Sequence, residues 1–134
     1  MARMGRARTR PRIPGRPSAA CRLARSRALP YRGVFRLGSD GTVTVLTRAP
    51  AEPNGLAFSP DGKRLYADDT KRREIRVYDV TVNGELKNGR LFGKEEGRGG
   101  VPDGMRVDER GNVLVTGPGG IWLWDPRAIT WARL

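Results

Sequence analysis

From residue 33 onward, apolar positions fall in short runs that alternate with polar ones and are separated by turns containing Gly, Asp and Asn. That is the pattern of half-buried strands, and no helical stretch interrupts it. GVFRL (33–37) leads through GSDG to TVTVLT (42–47). GLAF (55–58), the turn SPDG, RLYA (64–67), the polar link DDTKRR and EIRVYDV (74–80) come next, and a weaker strand, GRLFG (89–93), follows TVNGELKN. The order then returns as GMRV (104–107), DERG, NVLVT (112–116), GPG and GIWLWD (120–125). Beyond Asp125 the residues PRAITWARL leave the pattern, and no strand is expected there.

The return is a repeat. PNGLAFSPDG (53–62) and PDGMRVDERG (102–111) share one frame at an offset of 49 (103 − 54), with Asn54 exchanged for Asp103. Gly62 matches Gly111 and Leu65 matches Leu114 at that offset, while Ile75 matches Ile121 at 46 because GPG is shorter than DDTKRR. An all-β unit of 40–50 residues with four antiparallel strands is the signature of a β-propeller blade. Two hairpins of a sandwich are the alternative, but they would not require the Asn54 and Asp103 frames to coincide. The pattern gives a half blade at 33–48, a full blade at 53–93 and a partial blade at 102–134. A propeller closes with typically four to eight blades, so these residues form a fragment of a ring, and open lateral faces predict self-association.

Charge refines this picture. Of the net +12, ten Arg and no acid lie in residues 1–32, whereas residues 33–134 carry sixteen Lys or Arg against fourteen Asp or Glu. The tail mixes Arg with Pro, Gly, Ala and Ser and has too few apolar residues to bury, so disorder is expected. It reads as a solvated tail, a phosphate-binding arm, a targeting segment or sequence foreign to the rest. The near-neutral body argues against a nucleic-acid partner. No apolar run is long enough to span a bilayer, and no secretory signal core is present, which favours the cytoplasm. Cys21 stands alone and there is no His. Disulfide frameworks, imidazole metal sites and Ser-His-Asp catalysis are therefore excluded, and chemistry must rest on carboxylates, amides, Lys, Arg, Tyr or a hard metal.

The first strand of a blade lines the propeller channel, so the repeat brings Asn54 and Asp103 to neighbouring positions around one axis. An amide oxygen and a carboxylate suit Ca²⁺ or Mg²⁺ better than Zn²⁺. Pro-Asn-Gly and Pro-Asp-Gly are equally good turn formers, and that reading stays open at this point. Asp68 and Asp69 either extend a metal site or solvate a link. Lys71, Arg72 and Arg73 read as a solvated turn. Asp40-Gly41, Asp61-Gly62 and Arg110-Gly111 read as hairpin turns. Trp122, Trp124, Tyr78 and Phe35 on the third strands read as packing between blades, ahead of a stacking platform for bases.

The stretches EPNGLAFSPDGKRLYADDT, NGRLF, GVPDGMRVDERGNVLVTGPGGIWLWDP and GVFRLGSDGTVTVL resemble the gluconolactonase and regucalcin (senescence marker protein) family, over about residues 33–127. The resemblance implies a six-bladed propeller that hydrolyses a sugar lactone with a divalent metal, Ca²⁺ first and Mg²⁺ or Zn²⁺ next. It places metal ligation on Asn54 and Asp103, and activation of water on Asp103 as the catalytic residue. The family's further Glu ligand has no counterpart in residues 1–32, which contain no Glu, Asp or Asn. Asp68 departs from the Ala or Ser usual at its position. A truncated copy, weakly active or inactive alone, is expected, with a non-catalytic piece that assembles with a partner chain as the alternative.

Overall fold

The computed structural model describes residues 30–133, and in them the chain is all β. A hairpin of β1 (Val34–Leu37) and β2 (Val43–Thr47) precedes two four-stranded antiparallel meanders. The middle sheet contains β3 (Pro53–Phe58), β4 (Arg64–Asp69), β5 (Glu74–Val80) and β6 (Leu86–Lys94) in chain order. The last sheet contains β7 (Met105–Val107), β8 (Val113–Gly117), β9 (Gly120–Trp124) and β10 (Thr130–Arg133), also in chain order. First strands β3 and β7 touch, as the inner strands of consecutive blades do. Among the described residues no helix is long and apolar enough to cross a membrane. The disordered tail expected at 1–32 falls almost wholly outside the described residues.

The hairpins close by one local device. Gly41, Gly62 and Gly111 adopt φ of 83°, 69° and 84°, a region that costs other residues strain. In each turn a nearby Asp side chain accepts the N–H two residues on: Asp40 from Thr42 at 2.9 Å, Asp61 from Lys63 at 3.0 Å and Asp108 from Arg110 at 2.9 Å. These are Asx turns, and they set the register of the strands they join.

Strand β3 starts two residues earlier than the sequence pattern has it, at Pro53, and β4 runs two residues further, through Asp69; β6 and β10 depart more. Strand β6 runs over nine residues, reaching back to Leu86, because Leu86 pairs with Val80 and Lys87 with Asp79. Strand β10 exists where none was expected and gives the last sheet its fourth strand. Its turn is built by Asp125, whose Oδ1 accepts the N–H groups of Arg127 at 2.8 Å and Ile129 at 2.9 Å. The left-handed residue there is Ala128, φ 67°, so the Gly that would flag the turn in sequence is missing.

The core lies between sheets. Tyr66, Ile75, Val77 and Phe92 of the middle sheet pack with Met105, Val113, Val115, Trp122 and Trp124 of the last. Tyr66 meets Phe92 edge-on with ring centres 4.9 Å apart, and Trp122 stacks on Trp124 at 5.7 Å. Trp124 lies so close to β6 that a Cβ at Gly93 would come within 2.9 Å of its ring. A second cluster of Val34, Leu65, Ala67 and Tyr78 joins the hairpin to the middle sheet. The two Trp and Tyr78 thus do the packing expected of them, each such buried side chain contributing roughly 1.5–3 kcal/mol. Phe35 is only half-buried and stacks on Tyr31.

Candidate functional site

Strand β3 begins Pro53-Asn54-Gly55, and the segment Pro102-Asp103-Gly104 leads into β7. The contact of β3 with β7 brings the two frames together: Asn54 Nδ2 donates to Asp103 Oδ1 at 2.8 Å. Both residues are exposed. The same amide turned over offers its oxygen instead of its nitrogen, so the pair can present two hard oxygen donors to one point. Among the described residues no three His, Cys, Asp or Glu side chains gather around a metal position. The donors fit a hard cation in kind and in mutual placement, and in number they supply two of the six to eight that Ca²⁺ takes.

Each frame rests on the strand beside it. In the middle sheet the register shifts between Pro53, opposite Asp69, and Leu56, opposite Ala67. Asn54 and Gly55 together therefore oppose the single residue Asp68, which is a β-bulge. Asp68 is fully buried and its Oδ1 accepts the Asn54 N–H at 3.2 Å. Its Oδ2 has no hydrogen-bond partner. Gly55 is wedged between that oxygen and the backbone carbonyl of Asp103, with a Cβ there falling 2.5 Å from Asp68 Oδ2. Burial pushes the Asp68 carboxyl up to about 6, helped by the charges of Asp103 and Asp69 and opposed by the N–H groups of Gly55 and Asn54. In the last sheet Met105 pairs with Val115, which puts Thr116 in the corresponding place. The turn from Asp108 to Asn112 is one residue shorter than that from Ser59 to Arg64, so Leu65 corresponds by register to Val113 and not to Leu114 as the sequence offset of 49 has it. Thr116 Oγ1 accepts the Gly104 N–H at 2.8 Å, and the Thr116 carbonyl accepts the Asp103 N–H at 3.3 Å.

Asp69 has a different task. It is fully buried, and its carboxylate accepts the N–H groups of Ala51 (2.6 Å), Glu52 (3.2 Å), Lys71 (3.1 Å) and Arg72 (3.2 Å). The Arg72 guanidinium closes the ring at 3.2 Å. Burial raises its pKa, but the N–H groups of Ala51, Arg72 and Glu52 outweigh that and hold the carboxyl below its usual range. It ties the entry of β3 to the β4–β5 link. Neither member of the acidic doublet is a solvating residue, because both are fully buried on strand β4, in place of the solvated link expected there.

One acid was not singled out by sequence. Glu95, just past β6, is 2% exposed, and neither carboxyl oxygen has a partner. Its carboxyl lies against Gly117 of β8, where a Cβ would overlap it. Burial, with the Asp68 charge adding to it and Arg73 opposing it, raises this carboxyl to about 7. Nothing in the local pattern KEEGRG distinguishes Glu95 from Glu96, so no sequence signal was available. Beside Asn54 a cleft of about 450 Å³ is lined by Arg32, Gly33, Phe35, Glu52, Pro53 and Thr70. Arg32 and Glu52 pair across it, and Thr70 Oγ1 donates to the Pro102 carbonyl at 3.0 Å.

Residues 18–130 match the family model described as SMP-30/Gluconolactonase/LRE-like region. The match starts at residue 18, earlier than the resemblance over 33–127 had placed it, and so takes in part of the Arg-rich segment. The chain is 39% identical to the gluconolactonase of Zymomonas mobilis over 104 residues, covering 72% of this chain and 29% of that protein. Similarity to the L-arabinolactonase of Azospirillum brasilense is 40% over 82 residues, covering 60% and 27%. Among solved structures, a gluconolactonase from Xanthomonas campestris superposes with a TM-score of 0.71 at 30% identity, covering 79% of this chain and 35% of that one. The calcium-binding protein regucalcin from Agrobacterium tumefaciens gives 0.64 at 27%, covering 75% and 35%. The chain thus spans about a third or less of the length of these relatives. On this evidence of sequence and fold it belongs to the SMP-30/gluconolactonase/LRE-like family.

Proposed function

We propose that these residues form part of a six-bladed propeller whose chemistry is metal-dependent hydrolysis of a sugar lactone. The observation that carries the reading is the meeting of Asn54 and Asp103, one neutral and one anionic oxygen donor, at the inner ends of consecutive sheets. Asn54 and Asp103 would hold the cation, with Ca²⁺ favoured by the all-oxygen donors. When bound, the cation supplies Lewis-acid polarisation of the lactone carbonyl.

The remaining chemistry falls to the chain's own side chains. Asp103 carries one oxygen, Oδ1, that accepts from Asn54, and a second, Oδ2, without a hydrogen-bond partner among the described residues. That second oxygen is available to orient a water and take its proton. Hydrolysis adds the hydroxyl to the carbonyl carbon, breaks the bond from that carbon to the ring oxygen and leaves the ring oxygen with a proton, giving a hydroxy acid. Without a cation Asn54 Nδ2 holds Asp103 Oδ1 by its hydrogen bond; with the amide turned to offer its oxygen, that bond would give way to shared ligation, which would keep the two side chains together. With two protein donors among the described residues, the rate these residues support by themselves is expected to be low, since alignment of water and substrate depends on the number of ligands.

A second reading draws on the surface of β3. Leu56 and Phe58 are 45% and 58% exposed, and an apolar groove of about 320 Å³ runs from them past Leu46, Leu65 and Leu86. Such a face favours association with a second copy through open blade faces. A pH-stat assay of proton release from gluconolactone, with and without Ca²⁺ and with Asp103→Ala, tests the catalytic reading. A metal-dependent rate lost in the variant supports it, and a rate indifferent to both metal and variant overturns it.

A further inference from the structure

We propose that Asp68 and Thr116, at corresponding places in consecutive sheets, are positioning residues that hold the two candidate ligand frames at their working separation. The inference rests on the reading of Asn54 and Asp103 as cation ligands. It concerns residues that touch neither cation nor substrate.

Three observations carry it. First, both residues lie on the strand after the ligand-bearing one, opposite the Gly that follows the ligand. Each uses a side-chain oxygen to accept a backbone N–H from the frame: Asp68 from Asn54 at 3.2 Å and Thr116 from Gly104 at 2.8 Å. The chemistry of the two side chains differs while the task is the same, which is what a positional requirement for an acceptor looks like. Second, the frame in the middle sheet is a bulge. A bulge leaves a backbone donor without its ladder partner, and Asp68 Oδ1 takes that donor. Third, Asp68 is fully buried with Oδ2 unpartnered. A buried carboxylate with an unsatisfied oxygen is costlier than a well-packed apolar residue, so what Asp68 adds at this place is its acceptor for the frame.

The same contacts explain how the separation is set. Gly55 is pressed between Asp68 Oδ2 and the Asp103 carbonyl. The thickness of that one glycine therefore defines how closely the β3 frame approaches the Asp103 segment, and the 2.8 Å contact between Asn54 and Asp103 follows from it.

The test uses the full chain and the variants Asp68→Ala, Thr116→Val and Thr116→Ser. Two quantities are read: Ca²⁺ affinity by calorimetry, and amide hydrogen exchange at Asn54 and Gly104 in the metal-free protein. Outer-shell partners of this kind are worth about 10–100-fold in metal affinity. Asp68→Ala should weaken Ca²⁺ binding by about tenfold or more and speed exchange at Asn54, with a melting temperature unchanged or raised. Thr116→Val should weaken binding and speed exchange at Gly104, and Thr116→Ser should restore both. Should Asp68→Ala fail to fold, the Thr116 pair decides alone. Unchanged affinity together with unchanged exchange in Thr116→Val overturns the proposal. If the unmodified chain binds no Ca²⁺, the ligand reading fails, and the exchange rates still decide whether Asp68 and Thr116 fix the frames.

Discussion

Asn54 Nδ2 and Asp103 Oδ1 lie 2.8 Å apart although 49 residues separate them in the chain. The contact joins equivalent positions of a repeat, so whatever the frame does, it does twice around one axis. Because both side chains are exposed, replacing either should change stability by no more than about 0.5 kcal/mol. Asn54→Ala should raise the Kd for Ca²⁺ by about tenfold or more. Calorimetry beside a thermal melt separates the two effects, and a large drop in melting temperature would mark the pair as structural.

Glu95 should make stability depend on pH. An unfolded Glu titrates near 4.5, and here burial raises the carboxyl to about 7. The folded protein therefore binds the proton more tightly than the unfolded chain. The associated stability is fully present below about 4.5 and is lost as pH rises through about 7, by up to about 3 kcal/mol. Asp68 adds a loss of the same sign that ends near 6. Urea unfolding from pH 5 to 8 should show falling stability, and Glu95→Gln should flatten the part of the slope above 6. An unchanged slope in the variant would place the titration elsewhere.

Asp69 should be among the costliest surface-distant acids to remove. Asp69→Ala leaves the N–H groups of Ala51, Glu52, Lys71 and Arg72 without their acceptor. Each unsatisfied buried donor costs about 1–3 kcal/mol, and some of these will find water, so a loss of about 3 kcal/mol is expected in denaturant titration. Its pKa is lowered, so its contribution is present at neutral pH and is lost as pH falls through the folded value. That is the reverse of Glu95.

The open face of β3 should drive association. Leu56→Ser with Phe58→Ser removes the two exposed apolar side chains, and sedimentation velocity should then show a shift toward monomer at a concentration where the parent associates. A parent that stays monomeric at high concentration would dismiss the second reading.

Turns and inner strands were legible because their determinants are local. Asp-Gly pairs fix the hairpins at 40–41 and 61–62, and the returning Pro-Asn-Gly and Pro-Asp-Gly frames fix where each sheet begins. The fourth strand of the last sheet was hidden because Ala128, not Gly, takes the left-handed position. Long-range contacts were hidden as well. That Asp68 serves a bulge, that Asp69 binds four backbone donors and that Glu95 lies against Gly117 follow from which strands are neighbours, and residue type alone carries none of this. Asp68 was visible as an oddity of the sequence, but its partner Thr116 was not, since a Thr in a strand is ordinary.

The central claim, that Asn54 and Asp103 together hold a divalent cation, is tested most directly by calorimetric titration of Ca²⁺ into the purified chain and into Asp103→Ala. A single saturable site in the parent, abolished in a variant that melts at the same temperature, is the predicted result. Equal binding by both proteins, or no binding by the parent, would contradict the claim.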